Sequence, residues 1–285
     1  MPCVLRQTGP EQLRSLGETR VITELAHQSL QSNAYAPVKG LIAKVDLRLG
    51  CDPAALRDII ERHRHVAGHL LKGIRDPAAR EPRPEDLMIP GPGPSYLYGS
   101  ENFRAGLRIL GQLGLTYDAW HYHHQNADFL ELVATVPDTV FVLNHFGTPL
   151  GVGLYNGARD AIFQQWRAHM QELAHHPNVY VKLGGLAMPD NGFNWHTGAQ
   201  PPTSDELMGR QRKYYLHMID CFGPQRCMFE SNFPVDRLSL SYSVLWNAFK
   251  KMVADFSEAE KNALFHDTAA RVYRLEVDQG VSSPG

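Results

Sequence analysis

Arg226-Cys227-Met228-Phe229-Glu230-Ser231-Asn232-Phe233-Pro234-Val235-Asp236 reads as a short apolar strand that runs into a polar cluster and is closed by a proline turn. Parallel strands ending this way place chemistry-bearing side chains at the mouth of an α/β barrel. Comparable apolar runs, rich in valine, isoleucine and leucine, recur at residues 40–47, 70–75, 115–120, 140–145, 179–184 and 227–232. Segments with helical signals lie between them. Asp52-Pro53 starts one, Thr203-Ser204-Asp205-Glu206 offers a capping box for another that stops at Gly223-Pro224, and Ser257-Glu258-Ala259-Glu260 opens the last. Such alternation predicts an α/β fold, a parallel sheet covered by helices.

Six strands are visible, whereas a closed (β/α) barrel has eight. A helix is expected around residues 18–30, with no strand before it. A doubly wound open sheet is the alternative, but no glycine-rich phosphate loop follows a first strand; Gly151-Val152-Gly153 does not complete that fingerprint.

A chain of 285 residues with net charge −2 has room for a sizeable core and carries no uncompensated basic stripe, which argues against nucleic-acid or membrane-surface partners. The four cysteines form no CxxC pair and read as reduced thiols. No apolar run reaches membrane-spanning length, and the start of the chain lacks a signal-peptide core, so a soluble cytoplasmic protein is expected. Of the fourteen histidines, His63, His65, His175 and His176 read as surface residues. His121, His123 and His124 follow a strand end and carry more weight.

Strand parity sorts the candidates. Tyr180, Lys182 and Gly184 share one face of their strand; Met228, Glu230 and Asn232 share one face of theirs. Lys182 and Glu230 are therefore expected to meet inside as an ion pair, since buried charges need partners. His145 stands at a strand end, as does Arg75, whose guanidinium suits a substrate carboxylate or a salt bridge to Asp76. Tyr122 and His123 are further candidates for substrate contact. So is His196, in the long irregular stretch 188–202, whose aromatic content favours a lid.

Together these strand ends resemble the amidohydrolase-related family, the metal-dependent TIM-barrel hydrolases, in its pyrone-dicarboxylate and sugar lactonase branch. The matching pieces are Lys72-Gly73-Ile74-Arg75, Tyr117-Asp118-Ala119-Trp120, Val142-Leu143-Asn144-His145-Phe146-Gly147, Val181-Lys182-Leu183-Gly184-Gly185, the opening stretch, and Asp267-Thr268-Ala269-Ala270-Arg271-Val272-Tyr273-Arg274-Leu275. The resemblance covers residues 1 to about 276, leaving 277–285 as a polar tail. It implies a TIM (β/α) barrel, incomplete at its N-terminal side, and hydrolysis of a lactone or other cyclic ester or amide of a small carboxylate-bearing molecule. It also implies His145 polarising the carbonyl and Asn232 standing where relatives commonly carry aspartate; an amide can orient water or substrate but cannot take a proton, so Glu230 or Asp236, the remaining carboxylates near the site, is the expected base.

Some members hold zinc or another divalent ion through a His-x-His pair on the first strand. No such pair precedes the first strand here, so no tight metal site is expected. A small-molecule substrate is the expected partner, with homo-oligomerisation left open. The rival readings are a catalytically impaired homologue that binds a small molecule, and a decarboxylase on the same fold.

Overall fold

The computed structural model describes residues 10–32 and 36–276. The valine- and leucine-rich runs form β1 (Leu41–Lys44), β2 (Leu71–Arg75), β3 (Thr116–Ala119), β4 (Phe141–Leu143), β5 (Val179–Leu183) and β6 (Cys227–Phe229). All neighbours are parallel, and the sheet order β1-β2-β3-β4-β5-β6 is that of the chain. A doubly wound sheet reverses direction at a switch point; this one never does. Right-handed crossovers in an unreversed order put the connecting helices on one face, as in a barrel. No pairing joins β1 to β6 among the described residues, so the sheet is open and both strands are edges.

The helices are α1 (Leu16–Leu30), α2 (Pro53–Ala67), α3 (Glu101–Gln112), α4 (Asn126–Thr135), α5 (Arg159–Ala174), α6 (Ser204–Phe222), α7 (Tyr242–Met252), α8 (Glu258–Asn262) and α9 (Thr268–Val272). Their ends follow the local signals. Asp52 accepts a hydrogen bond from the Ala55 amide ahead of Pro53. Thr203/Glu206 and Ser257/Glu260 form reciprocal capping boxes, and α6 stops at Gly223, φ 74°. The proposed tail lies outside the described residues.

Parity divides two cores. Val179, Val181 and Leu183 of β5, with Cys227 and Phe229 of β6, pack beneath the helices. On the opposite, inner face, Ile42, Val142, Tyr180 and Met228 meet Val272, Tyr273 and Leu275 from the C-terminal segment.

Lys182 points to the inner face, but its nearest partner is not the expected one. Its Nζ lies 2.8 Å from Asp118 Oδ2 and 4.0 Å from Glu230 Oε2. Asp118 is fully buried and also accepts from Tyr273 Oη at 2.8 Å and Thr116 Oγ1 at 3.1 Å. Three donors around one carboxylate outbid a single approach to Glu230.

Lys182 thus reaches Glu230 as expected, though at the limit of ion pairing, whereas His63, read as a surface residue, is a correction. It is fully buried between α1 and α2, with Thr19 Oγ1 2.7 Å from Nδ1 and Ser15 Oγ 3.3 Å from Nε2, and burial pushes its pKa down to about 4. Stretch 188–202 is anchored: Asp190 accepts from the Met88 and Ile89 amides at 2.7 and 3.0 Å, and Phe193 stacks on Trp195.

Replacing Lys182 by Met is expected to cost about 3–5 kcal/mol, because Asp118 is left charged and buried. Adding Asp118→Asn should restore part of that loss in urea denaturation; a double variant as unstable as the sum of the single ones would count against the pair.

Candidate active site

Beyond β4 the chain turns through Asn144-His145-Phe146-Gly147-Thr148. His145, Phe146, Gly147 and Thr148 have φ of 54°, 60°, 62° and 39°, an uncommon run of left-handed residues. Backbone in that region stores strain that surrounding contacts must hold. Here they do: the Asn144 amide and Nδ2 both donate to Ala119 O, at 3.0 and 2.8 Å, and Trp166 Nε1 donates to Phe146 O at 2.7 Å. Asn232, after β6, is also left-handed at φ 51°. Its Nδ2 donates to Asp236 Oδ1 at 2.8 Å, and its carbonyl accepts from the Asp236 amide at 3.1 Å. The two strand ends singled out in the sequence are thus both strained and braced.

Gly184 and Gly185 sit between them. A Cβ on Gly185, φ 86°, would lie 2.6 Å from His145 Nδ1, and one on Gly184 would lie 2.1 Å from the Glu230 carbonyl. Only glycine allows this approach.

His145 Nδ1 stands 2.6 Å from Glu230 Oε1, both largely buried. Burial alone would raise the Glu230 pKa, but the charges of His145, Lys182 and Arg75 together outweigh it and hold the carboxyl down at about 2. Asp236 goes the other way. Burial, joined by repulsion from Glu230, pushes it up to about 8 against the help of Asn232 and the backbone at Ala187 and Gly185. Tyr215, behind them on α6, is buried with its hydroxyl unpartnered, as is Asp236 Oδ2.

The contacts form one chain: Arg75 Nη2 donates to Asn144 Oδ1 at 3.4 Å, beside His145; then come Glu230, Lys182, Asp118 and Tyr273. Arg75 bonds Asn144 rather than Asp76, whose Oδ2 accepts from the Leu47 amide at 2.9 Å. Arg75 Nε is buried without a partner.

The other candidates bond elsewhere. Tyr122 Oη accepts from the Gly91 amide at 2.7 Å and donates to Ile89 O at 3.3 Å. His123 Nδ1 accepts from the Leu150 amide at 3.2 Å, which puts its proton on Nε2. His196 sits on the 3₁₀ turn Trp195–Thr197, its Nδ1 buried without a partner. His121, weighed with His123, lies between Tyr98 Oη and Asn126 Oδ1, each 2.9 Å away.

Asp118 and Tyr273 are members that sequence reasoning quoted without assigning a role. The signal for Asp118 was its parity with Thr116 on the inner face; Tyr273 had none, because no local pattern says where the last helix docks.

The metal question turns on donors. A catalytic zinc takes three protein ligands. The strand ends offer one imidazole, whose Nδ1 faces Glu230, the Glu230 carboxylate engaged by it, the buried Asp236 tied to Asn232, and the Asn232 carboxamide, a poor zinc ligand. Among the described residues no group of three His, Cys, Asp or Glu side chains is arranged to hold an ion. These residues do not fit a catalytic zinc.

A family model described as Amidohydrolase matches residues 36–275. The chain belongs to the amidohydrolase family. The uncharacterized protein y4mH of Sinorhizobium fredii is 41% identical over 173 residues, 61% of this chain and 52% of that protein. An L-fucono-1,5-lactonase of Burkholderia multivorans is 32% identical over 176 residues, 61% of this chain and 56% of that one. The chain thus spans little more than half the length of these relatives.

Among solved structures, an amidohydrolase from Burkholderia multivorans with bound zinc superposes with TM-score 0.72 at 26% identity, covering 93% of this chain and 82% of that one. A candidate 2-pyrone-4,6-dicarboxylic acid hydrolase from Pseudomonas putida superposes with TM-score 0.59 at 19% identity, covering 92% and 79%; it shares the fold. The chain is therefore an α/β member of the amidohydrolase family with a fold of the TIM-barrel type, six strands of it among the described residues. No helix there is long and apolar enough to cross a membrane.

Gly185→Ala is expected to lower stability by about 1–3 kcal/mol and to shift the His145 ring resonances. Gly209→Ala, where an added Cβ meets nothing, should be neutral or stabilising. Equal effects in denaturation and NMR spectra would refute the packing argument.

Proposed function

We propose that the strand-end site hydrolyses a lactone or other cyclic ester of a small carboxylate-bearing molecule. The observation that carries this reading is His145 Nδ1 at 2.6 Å from Glu230 Oε1, with a second carboxyl, Asp236, held by Asn232 Nδ2 at 2.8 Å and driven the other way: Glu230 down to about 2, Asp236 up to about 8. Environments that drive paired acids apart separate an electrostatic group from a proton-transfer group. The lactonase named among the relatives supports the bond type.

His145, backed by ionised Glu230, donates to the carbonyl oxygen as negative charge develops on it. Asp236 in its ionised form takes a proton from the attacking water and returns it to the leaving ring oxygen. The water oxygen bonds to the carbonyl carbon, the ring C–O bond breaks, and a hydroxy acid results. Asn232, tied to Asp236 through Nδ2, keeps its amide oxygen to orient the water. Arg75 grips the substrate carboxylate, with Lys182 reinforcing the positive field. No step is routed through a metal.

A second reading, a small-molecule-binding homologue with little turnover, is favoured by one fact, the misfit of these residues to the metal that the Burkholderia relative carries.

A pH-stat assay on a lactone that carries a free carboxylate decides between them. Ring opening should exceed the spontaneous rate and rise with pH through about 8, the Asp236 value, and that limb should vanish in Asp236→Asn. His145→Ala should lose about 100-fold in kcat. A rate equal to that of the buffer would establish the binding reading instead.

A further inference from the structure

Away from the strand ends, the open side of the sheet holds a cleft of about 650 Å³. It lies on the inner face between the N-terminal half of the sheet and the C-terminal segment, with apolar walls from Ile42, Tyr273 and Leu275. That size suits a small organic molecule, and mostly apolar walls with a few polar groups are what such sites offer.

Lys72 gives the cleft its chemistry. The residue is only 7% exposed. Its Nζ donates to the Arg274 carbonyl at 3.1 Å. Burial and the neighbouring Arg274 charge disfavour its ammonium, and the pull of Glu276 offsets this only in part. Glu276, the acid of the lining, sits exposed at the rim; His266, also at the rim, is occupied by Asp267 at 2.7 Å, and Lys182 by Asp118. Gly40 keeps the approach open, since a Cβ there would crowd Lys72 Cγ at 3.1 Å and Leu275 Cδ2 at 3.2 Å.

We propose that this cleft binds a small anion with a compact apolar body, its carboxylate paired with Lys72 and its body against Ile42, Tyr273 and Leu275. The cleft shares Lys182 and Tyr273 with the inner-face network but includes neither His145 nor Glu230, and the proposal does not depend on the hydrolytic reading. Ligand binding here would also bridge β1 and the C-terminal segment.

The test titrates the whole chain with phenylacetate and with its neutral isostere phenylacetamide, by calorimetry and methyl NMR. Phenylacetate should bind saturably and about 10-fold more tightly than the amide, the effect of one charge-assisted contact. Lys72→Met should erase that preference and Lys72→Arg retain it. In the unaltered protein, phenylacetate should shift the Ile42 and Leu275 methyl signals, so the result stands even if Lys72→Met folds poorly. Non-saturable binding, a preference that survives Lys72→Met, or shifts confined to the neighbours of His145 would overturn the proposal.

Discussion

Two carboxylates buried on the inner face of the sheet, Asp118 and Glu230, impose the constraint around which this molecule is arranged. Each would be intolerably costly alone. Lys182 stands between them, close to Asp118 and at the edge of reach of Glu230, while His145 closes on Glu230 from the end of β4, across the intervening β5. Tyr273 adds the last donor to Asp118, which fastens the C-terminal segment to the middle of the sheet. Neutralising these charges therefore ties β3, β4, β5 and the strand end after β6 to the final helix. The same contacts leave Glu230 ionised and Asp236, a turn further on, protonated near neutrality. Structure and chemistry share one set of charges.

Rigidity at the strand ends follows from a different source. His145 and Asn232 both adopt left-handed backbone, which costs free energy unless neighbours enforce it. Enforcement comes from side chains with fixed jobs: Asn144 on Ala119, Trp166 on Phe146, Asp236 on Asn232. The adjoining glycines remove the atoms that would block the imidazole. A site assembled this way is held before any ligand arrives, which is the condition for electrostatic catalysis.

Much of this was legible in the chain itself. All six strands and the caps of α2, α6 and α8 follow from periodicity and capping chemistry, which are local. Parity placed Lys182, Glu230 and Asn232 on the inner face, because side-chain alternation is a property of any strand. What parity cannot rank is competition: Lys182 had two acids within reach, and the one with more donors around it prevailed. Burial of His63 escaped notice because α2 carries arginines on both sides of it, and only the docking of α1 decides that it turns inward. Tyr122 and His121 proved to be anchors for loops and core, roles set by groups distant in sequence. Family resemblance carried what patterns could not, the kinship among strand ends.

The splitting of the two carboxyls is the claim on which the functional account rests, and carbon-13 NMR of the carboxyl groups of Glu230 and Asp236 across pH measures it directly. The account predicts that Glu230 stays ionised down to about pH 2 and that Asp236 keeps its proton up to about pH 8. Both groups titrating together near pH 4, as free carboxyls do, would contradict it.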